Sequence, residues 1–193
     1  MIAPDMHLDT RRATRHPFSM RNESSIQRNT LDEFNDAPGA DAVRMLLPLC
    51  SSPAWATAVA DRRPYDGVDA LLTASDQVFA GLAIADLDAA LTGHPRIGDR
   101  VTGHDTAADL SRSEQSAMQS ADERVADQIL RGNVTYEQRF DRVFLIRAAG
   151  RTPGEILAEL RRRLANTDAD EQAEVREQLR QITRLRLEGT FAP

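Results

Sequence analysis

The feature that most restricts this chain is the recurrence of helix-opening signals ahead of apolar residues three and four apart. Thr152-Pro153-Gly154-Glu155 supplies a hydroxyl cap, a first-turn proline and a glutamate three residues after the cap, so that side chains satisfy the free N–H groups of a helix start. Ile156, Leu157, Leu160 and Leu164 follow at helical spacing and make one apolar face. Ser52-Pro53 opens a segment in the same manner, with Trp55 and Val59 on its buried side and Pro64 as its stop. Thr30-Leu31-Asp32-Glu33 repeats the cap-to-glutamate spacing ahead of Phe34. Other helices are expected over Ala40–Leu49, along Val68, Leu71, Leu72, Val78 and Phe79, and over Leu87–Leu91 behind an Asp86 cap. Three more follow: one after a cap at Ser111 or Ser113, one from about Asp122 to Phe140, and one from Asp168 along Val175, Leu179, Ile182 and Leu185. Only Val143–Ile146 reads as extended, and one strand makes no sheet. The expected fold class is therefore all-α, a single compact domain of about seven to nine helices over residues 30–193. Residues 1–29 show no sustained apolar period and are expected to be a disordered extension.

Charge and residue usage exclude several functions. The 30 acidic side chains outnumber the 24 basic ones, for a net charge of -6, which argues against nucleic acid as a partner because phosphate binding relies on cations. No apolar run reaches the length of a membrane span, so no membrane partner is expected. Cys50 is the single cysteine, which rules out an internal disulfide framework or a cysteine-based zinc cluster. The sequence holds no lysine; every basic residue is arginine. A Schiff base needs a lysine amine and a P-loop needs its lysine on the phosphates, so both chemistries are closed to this chain.

Three short motifs can carry chemistry. In Gly93-His94-Pro95-Arg96-Ile97-Gly98 the residue before proline is pushed out of the helical region. His94 is thus set on a stiff loop where the preceding helix ends, with Gly93 and Gly98 supplying unusual dihedrals. The alternative is an imidazole that only packs on, or caps, that helix. In Ser111-Arg112-Ser113-Glu114-Gln115 a hydroxyl, a carboxylate and an amide share one helical face, although Ser-x-x-Glu is also a capping box. Near the C-terminus, Arg184 and Arg186 point in different directions, and one of them flanks the apolar stripe where its guanidinium could enter a pocket. A fourth grouping, His94 with His104 and Asp105, superficially fits a metal-dependent hydrolase, but a Gly- and Asp-rich loop joins the two histidines. A helical interaction module without catalysis is the other alternative.

Taken in order, these motifs resemble the 2-oxo-4-hydroxy-4-carboxy-5-ureidoimidazoline (OHCU) decarboxylase family of urate breakdown. His-Pro-x-Ile-Gly comes first, Ser-x-x-Glu-Gln about twenty residues later, then Asn133, Tyr136 and Phe140 before an extended apolar run, then a Leu-Arg-Leu helix end. Leu31 with Phe34-Asn35, Ser52-Pro53-Ala54-Trp55 and Arg63-Pro64-Tyr65 extend the likeness over most of Thr30–Glu188. The resemblance implies a cofactor-free, all-helical homodimer that releases CO2 from OHCU to give S-allantoin; the expected location, the cytoplasm, comes instead from the single cysteine, which suits a reducing compartment. The resemblance assigns catalysis to His94 and Glu114. Substrate contact falls to Pro95, Ser111, Gln115 and Arg186 and to the backbone around Phe144, Leu145 and Ile146. No metal is implied, and the C-terminal Phe191-Ala192-Pro193 is not a peroxisomal Ser-Lys-Leu address. Two departures stand out. Phe140-Asp141-Arg142-Val143-Phe144 replaces the family's Phe-Gly-Phe-Pro-Phe, and Trp55 sits one residue later than usual.

Such a reaction leaves an electron pair on carbon, and without lysine the sink is the substrate, another cofactor or a metal; OHCU, the substrate the resemblance implies, supplies its own through its ring C=N and carbonyl groups. The protein's task is to orient the ring and deliver protons. His94 is expected at the 4-hydroxyl or carboxylate, and a nearby Glu114 is expected to raise its own pKa or that of His94.

Overall fold

The computed structural model describes residues 31–99, 106–116, 118 and 121–191. Over these residues the chain forms nine helices and no strand, in accord with the all-α expectation. They are α1 (Leu31–Asp36), α2 (Gly39–Leu46), α3 (Pro53–Ala60), α4 (Val68–Gly81), α5 (Ile84–Leu91), α6 (Thr106–Glu114), α7 (Glu123–Phe140), α8 (Pro153–Arg163) and α9 (Asp168–Phe191). The segment 1–30, with the Thr30 cap, lies outside the described residues, as do His104 and Asp105.

The strongest local signals form as written. Ser52 Oγ accepts the Trp55 N–H at 3.2 Å, and Thr152 with Glu155 closes a reciprocal capping box at the start of α8. Asp122 caps α7 by accepting the Arg124 N–H at 2.9 Å. Other boundaries differ. The second helix runs Gly39–Leu46 and ends two residues before Pro48, consistent with the steric conflict proline creates upstream. Asp86 is not a cap: α5 begins at Ile84 behind Ala83, and Asp86 sits within its first turn, where a carboxylate still favours the positive end of the helix dipole. Neither Ser111 nor Ser113 caps α6, because the helix starts five residues before Ser111 and both serines lie inside it. Residues 143–148 have no regular secondary structure and pair with no strand.

Two apolar clusters divide the molecule. The larger joins α1–α5 to α9 through Phe34, Leu46, Trp55, Leu71, Phe79, Leu87, Leu179 and Leu187, all essentially inaccessible to water. The smaller joins α7 to α8 through Ile129, Tyr136, Ile156 and Leu160, and includes Ile97, Phe144 and Ile146. Arginines fasten α9 to α4. Arg176 Nη1 donates to the Phe79 and Leu82 carbonyls at 2.7 and 2.8 Å, satisfying groups that a helix C-terminus leaves free. Arg180 and Arg184 both reach Asp76. No single described helix is long and apolar enough to cross a membrane.

Candidate active site

A narrow cleft opens along the seam between the two clusters. Its walls include His94, Pro95, Ser111, Glu114, Gln115, Phe144, Leu145, Ile146 and Ile182, brought together from four separate stretches of chain. It encloses about 20 Å³ of free space, roughly what one ordered water needs. Of the residues the resemblance assigns to the site, Arg186 alone is absent from the lining, and it lies immediately behind Glu114. Its Nε and Nη2 donate to the two Glu114 oxygens at 2.6 and 2.7 Å, the bidentate geometry a planar guanidinium favours. The same nitrogen Nη2 is 3.5 Å from Ser111 Oγ, and Nη1 donates to the Leu49 carbonyl at 3.2 Å. Arg184 points away and pairs with Asp76 and Glu188, so of the two arginines Arg186 is the inward one.

The register of α6 explains why Ser-x-x-Glu is not a capping box. Ser111 and Glu114 fall in the last turns of the helix, one turn apart, so both project toward α9. Of the α6 side chains only Ala108 and Ser111 are buried. Much of the helix's attachment is therefore polar.

His94 follows the end of α5. Its backbone N–H donates to the Leu91 carbonyl at 2.9 Å, and its Nδ1 lies 3.0 Å from the Ala90 carbonyl. A carbonyl only accepts, so Nδ1 carries the proton and Nε2 presents a lone pair. Of the two sequence readings of this residue, the capping one describes Nδ1, which caps α5; Nε2 is buried with no hydrogen-bond partner among the described residues. Burial lowers the His94 pKa from 6.5 to about 4, the Arg186 charge adds to the effect, and the Ala90 hydrogen bond only partly offsets it. This reverses the expected rise of the histidine pKa. The imidazole is removed from water, and the charge it feels is the guanidinium.

Of the two loop glycines, Gly98 has the left-handed backbone anticipated for it, with φ +88°. Gly93 is required for a different reason. A Cβ there would lie 2.1 Å from Ser51 Oγ and 2.8 Å from Ser51 Cβ, so only the missing side chain lets the loop carrying His94 close on the turn before α3.

The far wall survives the loss of the family's Gly and Pro. Asp141 occupies the glycine position and takes the left-handed conformation itself, with φ 53° and ψ 36°, which Asp tolerates better than most residues. Phe144, Leu145 and Ile146 consequently still line the cleft. They are held from behind by groups the sequence reading missed. Arg163 is fully buried and donates Nη1 to the Leu145 carbonyl at 2.7 Å. It pairs with buried Glu171, which also accepts from the Tyr136 hydroxyl. Gln178 accepts the Arg147 N–H at 2.8 Å. One faint sign was present: Arg163 ends α8 on the side of its apolar stripe, at i+3 from Leu160.

Among the described residues no three His, Cys, Asp or Glu side chains converge on a point that could hold a metal ion. The metal-hydrolase grouping needs His104 and Asp105, which lie outside the described residues.

A buried histidine, a carboxylate clamped by arginine and a glutamine amide around a small cleft define a class: a helical protein whose cleft has the groups to hold a compact polar ligand and to move protons. The sequence pattern of the OHCU decarboxylase family matches residues 35–188, and the chain belongs to that family. The uric acid degradation bifunctional protein TTL of Arabidopsis thaliana is 30% identical over 146 residues, 74% of this chain and 45% of that protein. The chain therefore spans less than half the length of that relative. A crystal structure of OHCU decarboxylase in the presence of (S)-allantoin superposes with a TM-score of 0.68 at 23% identity, covering 77% of this chain and 98% of the other. A crystal structure of (S)-allantoin synthase gives 0.64 at 17% identity, over 84% and 53%. At these identities the two structures speak for the fold.

Proposed function

We propose that this chain decarboxylates OHCU to S-allantoin without a cofactor, with His94 as the proton-handling group. The observation that carries the reading is the pairing of a pinned Nδ1–H with an unpartnered, buried Nε2 on the cleft wall. An uncharged imidazole with a free lone pair is a base, and it seeks a hydroxyl rather than a carboxylate. It therefore addresses the 4-hydroxyl of the substrate. As the bond to the carboxylate breaks and CO2 leaves, the electron pair passes into the ring and ends on the C=N nitrogen, which takes up a proton. The hydroxyl proton passes to His94 as its carbon becomes a carbonyl, and the neighbouring ring carbon gains a proton. One proton is consumed for each carboxylate. Fixed walls admit that proton to one ring face, which yields a single enantiomer.

Glu114 polarises the same region and is held in register by Arg186, which acts in the unliganded site through that carboxylate. The guanidinium also places positive charge beside an anionic substrate. Ser111 and Gln115 supply further polar contacts, Pro95 stiffens the histidine loop, and the backbone of Phe144–Ile146 faces the ureido group. The free space is far smaller than the substrate, so binding widens the cleft, and α6, with only two buried side chains, is the wall best able to yield. Family membership supports a homodimer, checked by light scattering of the purified protein.

The test follows CO2 release and allantoin chirality from freshly generated OHCU. His94→Ala should lose about a hundred- to ten-thousand-fold in turnover while remaining folded. Wild-type turnover in that variant would end the assignment.

A further inference from the structure

Asn133 is 2% exposed on α7, and its Nδ2 donates to the Ile97 carbonyl at 2.9 Å. The N–H of the next residue, Gly98, donates to Gln115 Oε1 at 3.0 Å. Ile97 C=O and Gly98 N–H belong to one peptide unit, so two carboxamides grip the two sides of the same plane. That plane is the central peptide of a tight turn. Asp99 N–H donates to the Arg96 carbonyl at 3.2 Å, Gly98 at the third position has φ +88°, and among the described non-glycine residues only Asp141 has a positive φ. These are the marks of a type II turn, whose alternative, type I, differs mainly by a flip of this central peptide. The turn begins two residues after His94, and Ile97 belongs to the cleft wall with His94 and Pro95.

We propose that Asn133 is a positioning residue for the reaction: with Gln115 it locks the Ile97–Gly98 peptide in the type II orientation and thereby fixes the loop that carries His94. The inference rests on the function proposed above. It has a consequence for Gln115 as well. With Oε1 occupied by the Gly98 amide, the group Gln115 offers a ligand is its NH2, so it selects a hydrogen-bond acceptor such as a ring carbonyl oxygen.

The experiment uses Asn133→Asp, which keeps the shape and replaces the donor by a group that donates only when protonated. Burial raises a carboxyl pKa, which brings protonation, and with it the donor, within reach at pH 5; at pH 8, where the group ionises, an anion faces the Ile97 carbonyl and the turn flips. The expected results at pH 8 are a kcat about 100-fold below wild type and exchange of the Gly98 amide with solvent at least about tenfold faster. Lowering the pH to 5 should return the kcat ratio toward one, a rescue that loss of packing would not produce. Gly98→Ala attacks the same turn from its exposed side, where the added Cβ meets no atom closer than 3.6 Å but is strained by φ; it should lose kcat while remaining folded at the assay temperature. Unchanged Gly98 exchange in Asn133→Asp overturns the clamp, as does a kcat ratio that does not respond to pH. If Asn133→Asp does not fold, wild-type kcat in Gly98→Ala overturns it. A wild-type chain that releases no CO2 from OHCU would sink the proposed function by itself, and the amide exchange would still decide the clamp.

Discussion

The guanidinium of Arg186, 3% exposed, meets both carboxylate oxygens of Glu114 across the space between α9 and α6. Seventy-two residues separate the two in sequence, and the contact is the main charged fastening of a helix that buries little else. Glu114→Ala would leave the guanidinium buried opposite no carboxylate, which costs about 3–5 kcal/mol in comparable pairs. Glu114→Gln keeps an acceptor and should cost less, about 1–3 kcal/mol. Both variants should turn over OHCU at least about 100-fold more slowly. Urea unfolding and initial rates on the same samples check the order; a Glu114→Gln variant less stable than Glu114→Ala would contradict it.

The buried neutral state of His94 fixes the sign of two pH effects. An unfolded chain binds a proton at this residue near pH 6.5, whereas the folded protein does so only near pH 4. Between those values the unfolded state holds more protons, so stability rises with pH across that window and is lost as pH falls through it. The full effect amounts to about 3 kcal/mol. His94→Phe should remove this dependence, and comparison of melting temperatures at about pH 4.5 and about pH 7 checks it. The same pKa keeps the base unprotonated from about pH 5 upward. Accordingly kcat/KM should fall only on the acid side; a midpoint near 6.5 would show a solvated imidazole.

Gly93→Ala brings a Cβ within 2.1 Å of Ser51 Oγ, and the histidine loop must retreat. A displacement near 1 Å at His94 should lower kcat about 100-fold. Ser51→Gly removes both atoms that obstruct it. The double variant should therefore recover most of the lost turnover, and simple additivity of the two changes in a double-mutant cycle would refute the contact.

Asp141 adopts a left-handed backbone at the end of α7. Asp141→Gly relieves that conformation but frees the unfolded chain, leaving a net gain of about 0.5 kcal/mol. Asp141→Val has no such tolerance and should lose about 1–2 kcal/mol. Thermal melts distinguish them, and equal melting temperatures would mean the position is unstrained.

What the sequence discloses and what it hides follow from the range of each interaction. Caps at Ser52 and Thr152 were legible because donor and acceptor lie within three residues. The start of α6 was not: Thr106–Glu114 carries only Leu110 as a large apolar residue, so no stripe marks its register and Ser111 looked like a cap. His94, Ser111, Glu114 and Gln115, singled out through the ordered motifs, line one cleft, with Arg186 behind Glu114. Arg163, Glu171 and Gln178 escaped notice because an arginine, a glutamate and a glutamine on helices ordinarily denote a wet surface. Their burial depends on α7, α8, α9 and the 144–146 wall meeting, which no local pattern encodes. The direction of the His94 pKa was likewise hidden, since it depends on how deeply the loop sinks.

Glu171, Gln178, Ile182 and Arg186 are separated by seven, four and four positions along α9, a spacing that keeps them in one row. Glu171 and Gln178 brace the far wall, Ile182 lines the cleft and Arg186 holds Glu114. A single rod thus indexes both sides of the opening. Inserting one residue near its middle would rotate everything downstream by about 100°, carrying Arg186 off its partner while Glu171 stayed seated. Length changes inside this helix should thus be far less tolerated than point substitutions on its outer surface.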